Sequence, residues 1–239
     1  MDDLAKLAIE AHGGSERWSQ FESVSAHLLV GGVLWQLKGK GGILDHVHVT
    51  AALRRVWASH HPFKVRNQHT VFQPDRIAVE TKGGGVVNER FNPRDSFNGH
   101  TLETPWDDMQ LAYFAGYAMW TYLNTPFLFE LPDVQSEEIE PWQENGESWR
   151  RLRTTFPPSI PSHSTIQTFY FDQAGVLRRH DYNADVLGGT RAAHYVSDHK
   201  EFSGILVPTK RRVFMRGEDG HFESEPLVVS IDLREVEFK

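Results

Sequence analysis

From Phe21 onward, apolar and polar residues alternate in short runs that stop at turn-forming residues about every ten positions. Phe21 to Val33 alternates loosely and Val33 to Lys38 clearly, before Gly39-Lys40-Gly41-Gly42 turns the chain. Ile43 to Thr50 reads as a strand and Leu53 to Ser59 as its partner or continuation. Gln68 to Phe72, Arg76 to Thr81 and Val86 to Phe91 follow, the last two joined by the hairpin-like Lys82-Gly83-Gly84-Gly85. Runs of period two with such punctuation predict an antiparallel sheet. A doubly wound fold would need helices between the strands, and this stretch predicts none.

Two segments carry a different period. Asp2 or Asp3 can cap a helix with Leu4, Leu7, Ala8 and Ala11 on one face, stopped by Gly13-Gly14, and Ser15 opens a short second turn ending near Trp18. Between Pro105 and Asn124-Thr125-Pro126, residues Trp106 to Leu123 contain no breaker except Gly116. Met109, Tyr113, Gly116, Tyr117, Trp120 and Leu123 share one face of that helix, and Leu111, Phe114, Ala115, Ala118 and Tyr122 the other. A helix apolar nearly all round is buried on both sides. An acidic loop is expected over Asp133 to Glu140. Strands return at Glu147 to Phe156, Ser164 to Phe171, Val176 to Val186, Ala192 to Glu201, Ile205 to Met215 and Leu227 to Phe238, giving about ten in all.

Composition narrows the function classes. The chain has 239 residues, enough for one large domain over 1–239, and shows no repeat or linker. Its net charge of -7 lacks the phosphate-neutralising excess of a nucleic-acid protein. No apolar run approaches the roughly 20 residues of a membrane span. The absence of cysteine removes disulfides, thiolate metal sites and cysteine nucleophiles together. Met1-Asp2-Asp3-Leu4 opens without a basic, then apolar, leader pattern, so a cytoplasmic location is expected.

The order of elements, and certain phrases within it, resemble a known family. Ala11-His12-Gly13-Gly14-Ser15-Glu16-Arg17-Trp18 ends the first helix. Thr168-Phe169-Tyr170-Phe171-Asp172-Gln173-Ala174-Gly175-Val176-Leu177 forms a hairpin, and Phe202-Ser203-Gly204-Ile205-Leu206-Val207-Pro208-Thr209-Lys210 starts a later strand. This layout is similar to the LolA/LolB-like superfamily of lipoprotein-binding half-barrels. The resemblance implies a mainly β fold, a curved antiparallel sheet around an apolar cavity with helices plugging its mouth. It also implies an apolar ligand, and catalysis without a cofactor is known within the same architecture.

Three side-chain groups could carry chemistry. His46-Val47-His48 places two imidazoles on one face of a strand, where a third ligand from a neighbouring strand would complete a metal site; the alternative is two solvent-facing histidines. His60-His61 is adjacent and would split between faces. His180 and Tyr182 share a face with Ala184 and Val186, and His194 is expected beside them across the turn at Gly188-Gly189. A His and a Tyr on an apolar wall suit general acid–base work, or else simply satisfy each other by a hydrogen bond. Trp35 and the helix residues Trp106, Tyr113, Tyr117 and Trp120 offer flat apolar faces with polar edges for an aromatic or polyene ligand, or fill the half-barrel as core.

The leading expectation is therefore binding of a hydrophobic small molecule between the curved sheet and the helix at 106–123. The first alternative is a cofactor-independent cyclase, isomerase or hydrolase using His180, Tyr182 and His194. The second is a metal-dependent enzyme built on His46 and His48. No cofactor is implied by any motif: phosphate-binding, dinucleotide and nucleophile-elbow patterns are all missing. The C-terminal strand, Leu227 to Phe238, is expected to offer an edge for a homodimer.

Overall fold

The computed structural model describes residues 1–239. Thirteen strands form one antiparallel sheet: β1 Ser23–Gly31, β2 His46–Ala52, β3 Ala58–His61, β4 Gln68–Gln73, β5 Arg76–Thr81, β6 Val86–Phe91, β7 Gln135–Glu144, β8 Glu147–Thr155, β9 Ile166–Phe171, β10 Leu177–Ala184, β11 Thr190–Phe202, β12 Ile205–Met215 and β13 Val229–Phe238. Four α-helices accompany them: α1 Asp3–Ala11, α2 Gly14–Trp18, α3 Leu34–Leu37 and α4 Asp108–Asn124.

The strand order β6-β5-β4-β3-β2-β1-β13-β12-β11-β10-β9-β8-β7 explains the path of the chain. A first meander runs from the centre to one edge, and α4 then carries the chain to the opposite edge. A second meander returns to the centre, where β13 pairs with β1, Val24 facing Phe238 and Gly31 facing Ser230. The sheet stays open, with β6 and β7 as its edges. It wraps α4: residues of the helix pack on β2 to β6, while Tyr122 reaches Tyr182 on β10 and Arg211 on β12.

Local chemistry accounts for the helices. Asp2 accepts from Leu4 N at 2.8 Å and caps α1, whose Leu4, Ala5, Ala8 and Ile9 are buried. Asp107 and Gln110 form a reciprocal capping box at the start of α4, satisfying two otherwise free N–H groups. Every residue of α4 from Met109 to Asn124 is buried, as its all-round apolar pattern predicts. Gly116 permits the tightest contact: a Cβ there would stand 2.5 Å from Cβ and Cγ of Phe72 on β4. The glycine thus brings the helix onto the sheet.

Several expectations are corrected. Val33 to Lys38 is not a strand: Leu34 and Trp35 are both buried, and the Trp35 indole donates to Gly31 O at 2.9 Å, a one-turn helical contact. The acidic segment after Asp133 is not a loop but enters edge strand β7, where Glu138 accepts two 2.7 Å hydrogen bonds from Arg150 on β8. An exposed edge strand needs no alternating apolar face, so the pattern hides it. Residues 53–57 form the turn between β2 and β3, and Asp185–Leu187 leaves β10 as a 3-10 turn. The strand at the C-terminus is central, paired on both sides by β1 and β12, and offers no edge to a second copy.

Candidate functional site

The concave face of the sheet and the helix it wraps meet in an almost solid interior. Two small apolar cavities remain, of about 40 and 30 Å³. The larger is walled by Leu28, Val47, Ala115, Ala118, Met119 and Ile231, with Trp35 and Leu44 beside α3. The smaller lies against Leu34, Leu102, Leu187 and Val228. Phe114, Tyr182, Val213 and Val229 line both, so they form the partition between them. The expected half-barrel is present, but its hollow is largely filled by side chains of α4.

A polar seam runs beside these cavities. The Tyr122 hydroxyl lies 2.7 Å from His163 Nε2 and 3.1 Å from the Tyr182 hydroxyl, and Tyr117 closes on His163 Nδ1 at 3.4 Å. His163 stacks on Tyr182 with ring centres 3.8 Å apart. His180 and His194 face each other in register across β10 and β11. His180 Nε2 donates to Gln167 Oε1 at 2.6 Å and its ring stacks on Phe169. Neither ring nitrogen of His194 has a partner. Arg211 on β12 donates to Tyr122 O at 3.0 Å and its Nε is unpartnered. Across the larger cavity, His60 leaves Nδ1 unpartnered.

Desolvation governs the charges here. It lowers His163 to about 3, reinforced by Arg94, and His60 to about 4. It drives His180 and His194 well below the usual histidine range, helped by neighbouring positive groups. It raises Tyr122 to about 12 and lowers Arg211 to about 10. At neutral pH the seam is thus a set of neutral imidazoles and phenols around a single cation.

The structure brings some of the singled-out residues together and separates others. His180, Tyr182 and His194 meet on the concave face, as their alternation predicts. Trp35 walls the larger cavity. Tyr117 joins the seam through His163, whereas Trp120 is turned away and fixed by 3.0 Å hydrogen bonds to Ala52 O and Arg55 O. Trp106 packs between Phe97 and Phe114, with the Lys38 ammonium 4.9 Å from its ring. Tyr113 looks to a polar surface cleft of about 460 Å³ beside Arg94 and Asp185. His46 and His48 are exposed on the convex face, with the His27 ring 6.1 and 4.8 Å away. The three rings stack loosely, and no three His or carboxylate groups of the chain are placed to hold a metal ion.

Sequence reasoning missed His163, Arg211 and Gln167. His163 sits in the Pro-rich turn after Phe156 and has no periodicity to mark its direction. Arg211 lies inside Lys210-Arg211-Arg212, which reads as a solvated run; only strict alternation from Ile205, placing 205, 207, 209, 211 and 213 on one face, would have turned it inward.

Comparison with solved structures agrees with this architecture. A Vibrio parahaemolyticus domain assigned to outer-membrane lipoprotein sorting superposes with a TM-score of 0.55 at 10% identity, covering 99% of this chain and 91% of its own. A DUF1329 family protein of Desulfovibrio piger gives 0.54 at 10% identity, covering 99% and 92%. A LolA superfamily protein of Nitrosomonas europaea gives 0.53 at 10% identity, covering 98% and 93%. Neither a protein-family model nor a curated protein matches the sequence. The chain has the LolA-like fold. None of its helices is long and apolar enough to cross a membrane.

Proposed function

We propose that the protein binds a hydrophobic small molecule between the concave face of its sheet and α4. The observation that carries this reading is the pair of apolar cavities beside α4 that meet at Phe114 and Tyr182. Protein interiors leave few voids larger than a water molecule, and two neighbouring ones mark the place where the interior yields most cheaply. At about 40 and 30 Å³ they are seeds of a pocket, well below the several hundred Å³ of an ordinary ligand site. Occupancy therefore requires side chains to move, and Met119, unbranched and adaptable, lies in the wall. Trp35 and Leu44, on and beside α3, stand at the same cavity and form its door.

Acid–base catalysis draws less support from the same geometry. His180 is committed to Gln167, and burial keeps the imidazoles neutral and poorly basic. The test is titration with the neutral fluorophore N-phenyl-1-naphthylamine. A saturable site of one per chain is expected, abolished by Ala118→Leu, which fills the larger cavity, with far-UV circular dichroism unchanged. Undiminished binding by that folded variant would place the probe elsewhere and overturn the reading.

A further inference from the structure

Two arginines are buried in this protein, and their surroundings are opposite. Arg179 on β10 is 0% exposed, and its guanidinium is neutralised by Asp181 at 2.7 and 2.8 Å and by Glu144 at 3.2 Å. Arg211 on β12 is 1% exposed and takes part in no ion pair. Its one hydrogen bond goes to a backbone carbonyl, its Nε has no partner, and the Tyr122 ring lies 4.9 Å from its Cζ. His194, 0% exposed with two unpartnered nitrogens, packs on the same ring at 4.6 Å. A guanidinium has five N–H donors, and a buried one without counter-charge is costly.

We infer that Arg211 and His194 receive the carboxylate of an amphipathic monocarboxylic acid whose apolar chain lies in the cavities against α4. This rests on the hydrophobic-ligand reading above and adds the ligand's polar end. Position supports it: Arg211 faces Ile231 in register and is the next inward residue from Val213, and both of these wall the larger cavity. His194 faces Val213 from the other side. Tyr122 touches the cavity and Arg211 alike, so its ring is the partition that the carboxylate displaces. Charge selects the class. A carboxylate matches the planar fork and balances a single positive charge, while His194, neutral here, supplies one N–H. A phosphate monoester dianion would leave a net negative charge buried, and an alcohol would leave the cation uncompensated.

Displacement of N-phenyl-1-naphthylamine by dodecanoate, dodecanol and dodecyl phosphate at pH 8 tests the assignment. Dodecanoate is expected to bind the natural protein about tenfold or more tightly than either of the others. Arg211→Met is expected to abolish the preference, bringing dodecanoate and dodecanol to equal affinity, with Arg211→Gln as the second variant should the first fail to fold. Equal affinity for dodecanoate and dodecanol in the natural protein, or a preference that survives loss of Arg211, would overturn the carboxylate site and leave hydrophobic binding intact. Equal or tighter binding of dodecyl phosphate would overturn the choice of anion. Absence of any saturable probe site would bring down both readings.

Discussion

Alternate residues of β10 look into two unlike environments. Outward, Arg179 and Asp181 belong to a closed ionic nest: Glu144, the Tyr170 hydroxyl at 2.8 Å from Asp181, and the rings of Trp142, Tyr170 and Tyr195 around the guanidinium leave little unmet. Inward, His180 and Tyr182 join a seam with no carboxylate, where His194 and Arg211 keep unpartnered nitrogens. One strand therefore separates a polar cluster that satisfies itself from one that does not. The chain can pair a buried arginine fully, as it does with Arg179. The bare Arg211 is thus a property of its site, and its neighbours Ile231 and Val213 wall the larger apolar cavity beside α4.

Acid is expected to break the comparison most forcefully. His163 and His60 titrate near 3 and 4 in the fold against about 6.5 when unfolded. Their depressed values mean that the unfolded chain binds more protons below pH 6.5. Stability is therefore full above that value and falls as pH drops towards the folded values, by about 1.4 kcal/mol per pH unit for each. These two alone remove roughly 5 kcal/mol or more between pH 7 and 4, comparable to a whole domain's stability. Asp181, raised by burial, acts with the opposite sign but alone. Melting curves from pH 7.5 to 4.5 should show a steep fall, and a flat profile would deny that the inner histidines are sealed.

Removing one partner from the closed nest comes next. Arg179→Met strands Glu144 without a cation and leaves Asp181 only Arg216 at 3.3 Å, and should cost about 3 kcal/mol by urea unfolding. The two flanks of α4 differ as well. Gly116→Ala, on the tight flank against Phe72, gains about 1 kcal/mol of helix propensity but loses more to overpacking, for a net loss of about 1–2 kcal/mol. The smallest effect should have the opposite sign. Arg211→Met exchanges an unpaired buried cation for an apolar side chain and is expected to raise stability by about 1 kcal/mol. A loss as large as that of Arg179→Met would show that the two arginines are equivalent and would remove the contrast.

Much of the fold was legible because it is built on period two and on glycine-bearing turns. Ile205 to Met215 and Val86 to Phe91 have the same limits in the structure as in the pattern. Helix α4 was legible from its freedom from breakers and its lack of a polar face. What failed to show was whatever tertiary context decides. β7 is an edge strand stabilised by arginines of its neighbour, so its own residues carry no strand signal. Leu34 and Trp35 are apolar and buried together, which a one-turn helix allows and a strand's alternation does not. Within the site, the strand residues His180, Tyr182 and His194 were readable because alternation fixes their direction. His163 was not, since a turn has no such rule, and Arg211 was concealed by two outward-facing basic neighbours.

The meeting of β1 and β13 has a consequence for how the molecule is made. Each half of the sheet is a meander whose strands pair with their immediate predecessors, so each can assemble as it emerges. The seam between them joins residues about 200 positions apart, which at roughly 5–20 residues per second is about 10–40 s of synthesis. During that interval one side of β1 has no strand beside it, and α4 has left the ribosome before the strands of the second half that will cover it. The keystone of this sheet is translated after the twelve other strands that it joins.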